Sequence, residues 1–256
     1  MAEKKEKKRI DSTLVERGLV SSRTRGEALI KEGGVAVNGA VVKNKSFLIE
    51  DADEVALLKE DLKWVSRGAL KLEHALDHWK IDPKGKTVLD IGASTGGFTE
   101  VLLSHGAKLV YALDVGHGQL AEKLRSNPRV VNMEGVHINN VTRSDFEEPI
   151  DVIVVDVSFI SLEKILPKIK ELLRNGGELI LLVKPQFEVG KSNIKKGIVF
   201  NPKLHASVVA RIESALEKIG FSLKGVVESP ILGGNGNKEF LLYARLSGKN
   251  KNTRQK

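Results

Sequence analysis

A glycine-rich segment that directly follows an apolar run is the first feature that indicates chemistry. A helix is predicted to begin near Gly96, so the segment forms a strand-to-helix turn. Glycines at such a turn let the backbone approach a ligand closely, at the sheet edge where open α/β folds bind nucleotides. A tight turn whose glycines serve only packing is the alternative. The predicted ligand-binding residues are Asp90, Gly92, Ala93, Ser94, Thr95, Gly96, Gly97 and Phe98.

An acidic residue at the end of the next predicted strand narrows the class of ligand. Asp114 follows Gly92 by 22 residues, a place where a carboxylate accepts hydrogen bonds from ribose hydroxyls. The turn lacks both G-x-G-x-x-G and the G-K-[ST] of a P-loop, which argues against nicotinamide, flavin and ATP. Together the turn and the acid predict a ligand that contains a nucleoside.

Three charged residues are predicted to meet at the same sheet edge. Asp156 and Lys184 end the fourth and fifth strands of this sheet, and Glu239 opens a strand that runs the opposite way. Apolar strands rarely carry charge at such positions unless it is paired or functional. The group is therefore either a reactive centre or a structural ion pair at the rim. Lys71 flanks a helical apolar stripe, and its spacing alone predicts a solvated lysine.

Hydrophobic periodicity predicts the scaffold that positions these residues. Strand-like runs alternate with helical stretches, which is typical of a doubly wound parallel α/β sheet. After a helix over 202–219, two strands follow without an intervening helix, so we expect an antiparallel final hairpin. A helix over 66–79 precedes the sheet, whose predicted strands are 87–91, 109–114, 130–133, 151–157, 178–184, 221–228 and 239–246.

The first part of the chain has a different pattern of apolar and polar residues. Two short helices are predicted, one capped by Asp11 or Ser12 and ended by Gly18, the next capped by Ser21 or Ser22. Asn38-Gly39 between alternating valines is a strong hairpin signal. We therefore expect a small α+β domain before the larger one. The predicted divisions are a basic tail over 1–9, a domain over 10–58, a linker over 59–65, a domain over 66–248 and a basic tail over 249–256.

Composition excludes several classes of protein. The 256 residues include no cysteine, which excludes a disulfide scaffold and a thiol nucleophile, and the six histidines form no metal motif, so no metal is expected. No apolar run approaches the roughly 18 residues of a membrane span, and no signal peptide is evident, so a cytoplasmic protein without a membrane partner is expected. The two tails supply seven of the eight net positive charges, which is compatible with a nucleic-acid partner.

The glycine turn, Asp114 and the final antiparallel hairpin resemble class I methyltransferases, whose cofactor is S-adenosylmethionine. The stretch from Ser66 to Leu72 is similar to the S-R-x-x-x-K-L helix of FtsJ-like RNA ribose methyltransferases. This resemblance implies a Rossmann-like seven-stranded sheet. It also implies a catalytic tetrad, which maps onto Lys71, Asp156, Lys184 and Glu239.

The implied reaction needs a base, because a ribose hydroxyl must lose its proton as it attacks the sulfonium methyl. Lys184 is expected to take that proton. Asp156 is assigned to orientation and charge balance, and Glu239 to aligning the two lysines. Lys71 is expected to favour the neutral form of Lys184 and to stabilise the developing alkoxide.

The N-terminal domain resembles the RNA-binding module of ribosomal protein S4. The matching residues are Arg9-Ile10-Asp11, Leu14, Gly18, Ser22-Arg23, Ala28-Leu29-Ile30, Gly33 and Val35-Ala36-Val37-Asn38-Gly39. This resemblance implies ribosomal RNA or ribosomal subunits as partners. The expected phosphate contacts are Arg9, Arg23, Arg25 and Lys31, extended by Lys43 and Lys45.

The order of the two domains resembles the TlyA, or hemolysin A, family of ribosomal RNA 2′-O-methyltransferases. One segment departs from that pattern: where relatives read roughly N-x-R-D, this chain has His137-Ile138-Asn139-Asn140, so Asn140 stands as the expected cofactor residue.

Three alternatives stay open. One is a noncatalytic RNA-binding or ribosome-assembly factor that retains the cofactor. Another is a base N-methyltransferase, since the stretch from Asp156 to Phe159 faintly resembles D-P-P-Y without its prolines. Pore-forming lysis, which the hemolysin name suggests, lacks an apolar span.

Overall fold

The computed structural model describes residues 7–20, 23–58 and 63–248. The chain forms two compact units, Met1–Lys63 and Trp64–Lys256, which are described separately. None of the helices in the described ranges is long and apolar enough to cross a membrane.

The N-terminal unit combines two helices with short strands. Its core consists of apolar side chains, among them Ile10, Leu14 and Ile30, which are fully buried. The hairpin predicted at Asn38-Gly39 is present, with Val37 paired to Ala40. The elements are β1 (Lys8–Arg9), α1 (Ile10–Glu16), α2 (Arg23–Lys31), β2 (Val35–Val37), β3 (Ala40–Val41), β4 (Leu48–Ile49) and β5 (Val55–Leu57).

The start of α1 differs from the prediction. Arg9 occupies the capping position without a side-chain cap, and Asp11 lies inside the first turn. The carboxylate of Asp11 instead binds two arginines, so the prediction that Asp11 caps this helix was wrong. The caps predicted at Ser21 and Ser22 lie outside the described residues.

The C-terminal unit follows the predicted alternation of strands and helices. Its main elements are α3 (Ala69–Trp79), β6 (Thr87–Ile91), α4 (Gly97–Ser104), β7 (Leu109–Asp114), α5 (Glu122–Arg125), β8 (Val130–Glu134), β9 (Ile150–Val155), α6 (Leu166–Leu172), β10 (Leu173–Val183), α7 (Pro185–Glu188), α8 (Pro202–Lys218), β11 (Phe221–Glu228) and β12 (Phe240–Leu246).

Seven strands of this unit form one sheet in the order β11-β12-β10-β9-β6-β7-β8. The five neighbouring strands β10, β9, β6, β7 and β8 are parallel to one another. β12 lies between β10 and β11 and is antiparallel to both. This confirms the expected final hairpin. Because β12 is reversed, its first residues lie beside the last residues of β10, with Val183 opposite Phe240. Lys184 and Glu239 therefore share one edge with the end of β9.

Apolar side chains cover both faces of the sheet. All five residues of β6 are buried, as are seven consecutive residues of β10 that begin at Gly177. Burial on both faces explains their near-continuous apolar sequence. β10 begins five residues earlier than predicted, because Leu173 pairs with Ile150 before the register shifts at Glu178.

Candidate active site

The glycine turn closes tightly against the end of β9. Gly92 has φ +87°, and a Cβ there would lie 2.4 Å from the carbonyl oxygen of Asp156. Gly97 begins α4, where a Cβ would lie 2.2 Å from Oγ of Ser66. Both positions therefore exclude a side chain. A cavity of about 150 Å³ opens beside the turn, lined by Ser66, Gly68, Gly92, Ala93, Ser94, Thr95, Gly97, Phe98 and Asp156.

Asp114 ties the end of β7 to this turn. Its Oδ2 accepts a 2.8 Å hydrogen bond from the backbone N–H of Ser94, and its Oδ1 accepts one of 2.8 Å from Gly116. Each carboxylate oxygen has two lone pairs, so both oxygens retain acceptor capacity. The adjacent Val115 is exposed, which places an apolar side chain next to this acid.

Asp90 is a buried acid beneath the turn. Its Oδ2 accepts a 2.7 Å hydrogen bond from the hydroxyl of Thr99. Among the described residues, none donates a hydrogen bond to its Oδ1. Burial raises the pKa of Asp90 to about 7, and the charges of Asp156 and Asp114 act in the same direction. Asp90 is thus a carboxyl group that one additional donor would satisfy.

Lys184 is paired at the carboxyl end of β10. Its Nζ lies 2.5 Å from Oδ1 of Asp156 and donates a 3.0 Å hydrogen bond to Oγ of Ser158. The lysine is only 9% exposed. An amine held so close to a carboxylate and a hydroxyl has a fixed position and little contact with bulk water.

Lys71 and Glu239 form a second buried pair. Nζ of Lys71 donates a 2.6 Å hydrogen bond to Oε2 of Glu239, and the two residues are 7% and 2% exposed. The solvated lysine predicted from helical spacing alone was therefore wrong. Nε2 of Gln186 donates to the other oxygen of Glu239 at 3.4 Å. Glu239 contacts Lys71, whereas the carboxylate that contacts Lys184 is Asp156.

The two pairs are connected to each other and to the glycine turn. Gln186 lies two residues after Lys184 and reaches Glu239. Gly68 precedes Lys71 in the chain, and a Cβ at Gly68 would lie 3.9 Å from Oδ2 of Asp156. Of the four charged residues, Asp156 lines the cavity beside the glycine turn, Lys184 contacts Asp156, and Lys71 and Glu239 contact each other.

An aromatic pair lies beside Lys184. The ring of Phe187 is 6.0 Å from Nζ of Lys184, and its centroid is 4.9 Å from that of Phe159. Phe159 is 90% exposed and has φ +65°, a left-handed conformation that is costly for a side chain of this size. The loop after β9 therefore presents an aromatic ring to solvent next to the paired amine.

In the N-terminal unit, Asp11 gathers two of the predicted RNA-binding arginines. Its carboxylate accepts hydrogen bonds from Nε and Nη2 of Arg9 at 3.1 and 2.8 Å, and from Nε of Arg23 at 2.9 Å. Asp11 is fully buried. The two guanidinium groups lower the pKa of Asp11 to about 2 against the opposing effect of its burial. Arg25 is half-buried in α2.

The predicted lysines of this unit lie around one concave surface. Lys31, Lys43 and Lys45 line it together with Glu27, which pairs with Lys45 at 2.8 Å. All three lysine residues are exposed to solvent. The unit thus carries two groups of cations, the arginines at Asp11 and the lysines at this surface.

Several residues of the site were missed from the sequence. Ser66 and Gly68 line the cavity, Ser158 binds Lys184, and Gln186 binds Glu239. The run Lys184-Pro185-Gln186-Phe187-Glu188 was the available signal, since a strand end seldom carries so many polar groups. Asn140 is exposed in a 3-10 turn and is not among the residues that line the cavity.

Comparison with known proteins agrees with the two-unit organisation. Residues 64–246 match the family model of FtsJ-like methyltransferases, and residues 8–55 match that of the S4 domain.

Relatives match over most of the chain. A Bacillus subtilis protein described as a candidate rRNA methyltransferase, YqxC, is 44% identical over 94% of this chain and 87% of its own length. The 16S/23S rRNA (cytidine-2′-O)-methyltransferase TlyA of Mycobacterium tuberculosis is 41% identical over 93% of this chain and 89% of its own. A solved structure from Streptococcus thermophilus, described as a candidate hemolysin, is 42% identical, covers 94% of this chain and 89% of its own, and superposes with a TM-score of 0.76.

Proposed function

The chain belongs to the FtsJ-like methyltransferase family and carries an S4 domain before the methyltransferase domain, and from this premise we propose that it methylates the ribose 2′-hydroxyl of ribosomal RNA. The observation that carries the proposal is a set of two lysine–carboxylate contacts, a buried one between Lys71 and Glu239 and a partly buried one between Lys184 and Asp156, whose carboxylate lines the cavity at the glycine turn. The relative TlyA of M. tuberculosis is named as an enzyme of this reaction class, an rRNA (cytidine-2′-O)-methyltransferase.

The residues around the turn fit S-adenosylmethionine. The side-chain-free backbone at Gly92 and Gly97 borders the cavity, and Asp114 retains lone pairs for ribose hydroxyls. Oδ1 of Asp90 is a buried acceptor that lacks a donor among the described residues, and the cofactor carries cationic and N–H groups that could supply one. When bound, S-adenosylmethionine supplies an electrophilic methyl group on a sulfonium.

Lys184 is assigned the role of general base, which requires the neutral form of its amine. A ribose hydroxyl is a weak nucleophile at neutral pH, so a nearby group must accept its proton during the attack. Asp156 and Ser158 fix the amine of Lys184 and limit its rotation. Asp156 also balances the charge that Lys184 carries once it holds the proton.

Lys71 is assigned to stabilise the negative charge that develops on the ribose oxygen. Its ammonium is fixed by Glu239, which Gln186 holds from the other side. Preorganised charges of this kind contribute to catalysis because they need no rearrangement as the reaction proceeds. The division of roles assigns proton transfer to one pair and electrostatic stabilisation to the other.

The exposed ring of Phe159 offers a stacking surface for the base of the target nucleotide. Unpaired RNA bases commonly stack on aromatic side chains, whereas paired bases present no free face. The ring of Phe187 contacts that of Phe159, with 4.9 Å between the two centroids. A stacking role of Phe159 therefore favours a target nucleotide that lies in an RNA loop or whose base is flipped out of the helix.

The N-terminal unit is assigned to RNA docking. The arginines held by Asp11, together with Arg25 and the lysines of the concave surface, provide contacts to phosphates. Such contacts set the position of a protein on RNA without reading its sequence.

A single-turnover assay tests the proposal. The protein is incubated with methyl-labelled S-adenosylmethionine and purified ribosomal subunits, and the RNA is digested to nucleosides. The label is expected in a 2′-O-methyl nucleoside that also protects one linkage from alkaline cleavage. Label in a base would support the N-methyltransferase alternative, and cofactor binding without label would support the noncatalytic one.

A further inference from the structure

Glu188 is a buried carboxylate that the proposed reaction does not use. It ends α7, four residues after Lys184, and its side chain is 1% exposed. A buried charge is unfavourable unless it is paired and hydrogen-bonded. The contacts of this carboxylate therefore show what it holds in place.

The carboxylate joins three parts of the fold. Oε1 accepts a 2.7 Å hydrogen bond from the backbone N–H of Leu162, and Oε2 accepts one of 2.8 Å from the hydroxyl of Ser161. Nη2 of Arg211, on α8, donates to Oε2 at 3.1 Å and to the backbone carbonyl of Glu188 at 2.8 Å. The loop after β9, the segment after β10 and α8 thus meet at one side chain.

The two loops that Glu188 joins are those that carry the paired amine. The loop after β9 contains Asp156 and Ser158, both in contact with Lys184. Between Ser158 and Ser161 lies Phe159, whose left-handed backbone needs support from its surroundings. Glu188 holds the far end of this loop, and Lys184 holds its near end.

We propose that Glu188 is a positioning residue, which fixes Asp156 and Ser158 against Lys184 by tying the loop after β9 to the segment after β10. The proposal rests on the ribose methyltransferase function for its kinetic consequence, since Glu188, whose side chain is 1% exposed, acts through the loops that hold Lys184. Its geometric consequence, the restraint on the amine of Lys184, does not depend on that function.

Glu178 provides a matched control for the test. It lies on β10, six residues before Lys184, is similarly buried, and accepts hydrogen bonds from Tyr243 at 2.6 Å and Arg245 at 2.7 Å. Its partners lie toward the opposite end of the strand. Glu178→Gln therefore removes a buried, arginine-paired charge without touching the loops at Lys184.

The kinetic experiment compares Glu188→Gln with Glu178→Gln in single turnover at saturating RNA and S-adenosylmethionine. Glu188→Gln is expected to lower the rate by about tenfold to a hundredfold, because small displacements of reacting groups cost this much. Cofactor affinity, measured by calorimetry, should change less than about twofold, since the loss lies in the reaction step. Glu178→Gln should lower the thermal midpoint and leave the rate unchanged.

A second measurement does not require the protein to transfer a methyl group. Both variants are treated briefly with acetic anhydride, and acetylation of Lys184 is followed by mass spectrometry. Glu188→Gln should acetylate Lys184 several-fold faster than the parent protein, whereas Glu178→Gln should not. If the parent protein transfers no methyl group to ribose, the proposed function fails, and this comparison still decides the role of Glu188.

Ser161→Ala guards against misfolding of the first variant, because it removes one hydrogen bond to Glu188 and keeps the ion pair between Glu188 and Arg211. It should lower the rate and raise the acetylation of Lys184 in the same directions as Glu188→Gln. Equal loss of rate in Glu188→Gln and Glu178→Gln, or unchanged acetylation of Lys184 in folded Glu188→Gln, would overturn the proposal.

Discussion

The amine of Lys71 donates a 2.6 Å hydrogen bond to Glu239, although 168 positions separate the two residues in the chain. Both side chains are buried, so removing either one leaves the other as an unpaired buried charge. Such a loss typically costs about 3–5 kcal/mol. The contact therefore couples the helix before the sheet to the last strand.

A double-mutant cycle tests this coupling. Lys71→Met and Glu239→Gln are each expected to lower the free energy of unfolding in urea, and the double variant should lose less than their sum by about 1–3 kcal/mol. The exposed pair Lys238–Glu228 adjoins Glu239 and serves as a control, with an expected coupling below about 1 kcal/mol. Similar coupling in the two cycles would contradict the role of burial.

Lys184→Ala is expected to abolish most of the methyl transfer. General-base catalysis typically contributes about 10²–10⁴-fold to a rate, and the remaining activity would come from alignment of the reactants. Lys86→Ala is the control, since Lys86 pairs with a buried carboxylate, Glu178, remote from the site. Rates are measured in single turnover, with cofactor binding checked by calorimetry. Full activity of folded Lys184→Ala would eliminate Lys184 as the base.

The pKa of Asp90, about 7, predicts that stability depends on pH. Because this value exceeds that of the unfolded chain, the native state holds more protons between about pH 4 and 7, and stability falls as pH rises through that range. Asp90→Asn should remove this part of the dependence. Thermal midpoints at pH 5 and pH 8 provide the measurement, and exposed Asp77→Asn should behave like the parent protein.

The raised pKa of Asp90 also leads us to expect that cofactor binding releases protons. A donor supplied to Oδ1 favours the charged form of Asp90, so binding near pH 7 should release a fraction of a proton. Calorimetry of S-adenosylmethionine binding in buffers with different ionisation enthalpies measures this number. A value that Asp90→Asn leaves unaltered would assign the proton to another group.

Much of the fold followed from the sequence because the central strands are buried on both faces. β6 and β7 have the predicted bounds, since their apolar runs end at a glycine turn and at Asp114. β1 and β4 have two residues each, too short to show a periodicity, and their pairing was not predicted.

The site was only partly predictable for a different reason. The four charged residues stand at strand ends or match a family motif, whereas Ser158, Gln186 and Glu188 gain their roles through contacts between loops. Asp11 was misassigned as a cap because the local sequence does not show that Arg23, on the next helix, reaches it.

Asp11→Asn gives a direct test of RNA docking by the N-terminal unit. Removing a negative charge should by itself strengthen binding to RNA. We expect weaker binding instead, by roughly fivefold, because Arg9 and Arg23 lose the carboxylate that orients them and charge-assisted hydrogen bonds exceed neutral ones. Asp51→Asn, an exposed change in the same unit, should bind RNA as well as the parent protein or better. Filter binding across several salt concentrations distinguishes the two outcomes.

Phe159→Ala should weaken the use of RNA without affecting the cofactor. Stacking of a base on an aromatic ring contributes about 1–3 kcal/mol, so the efficiency of methylation should fall by roughly fivefold to a hundredfold, and Phe159→Trp should retain it. Phe200→Ala, a change at another exposed phenylalanine, is the control. The decisive comparison uses RNA that lacks the base at the target nucleotide but keeps its ribose. If Phe159 stacks on that base, the parent protein and Phe159→Ala should methylate the abasic RNA at similar rates, whereas a persistent difference would assign Phe159 to the conformation of its own loop.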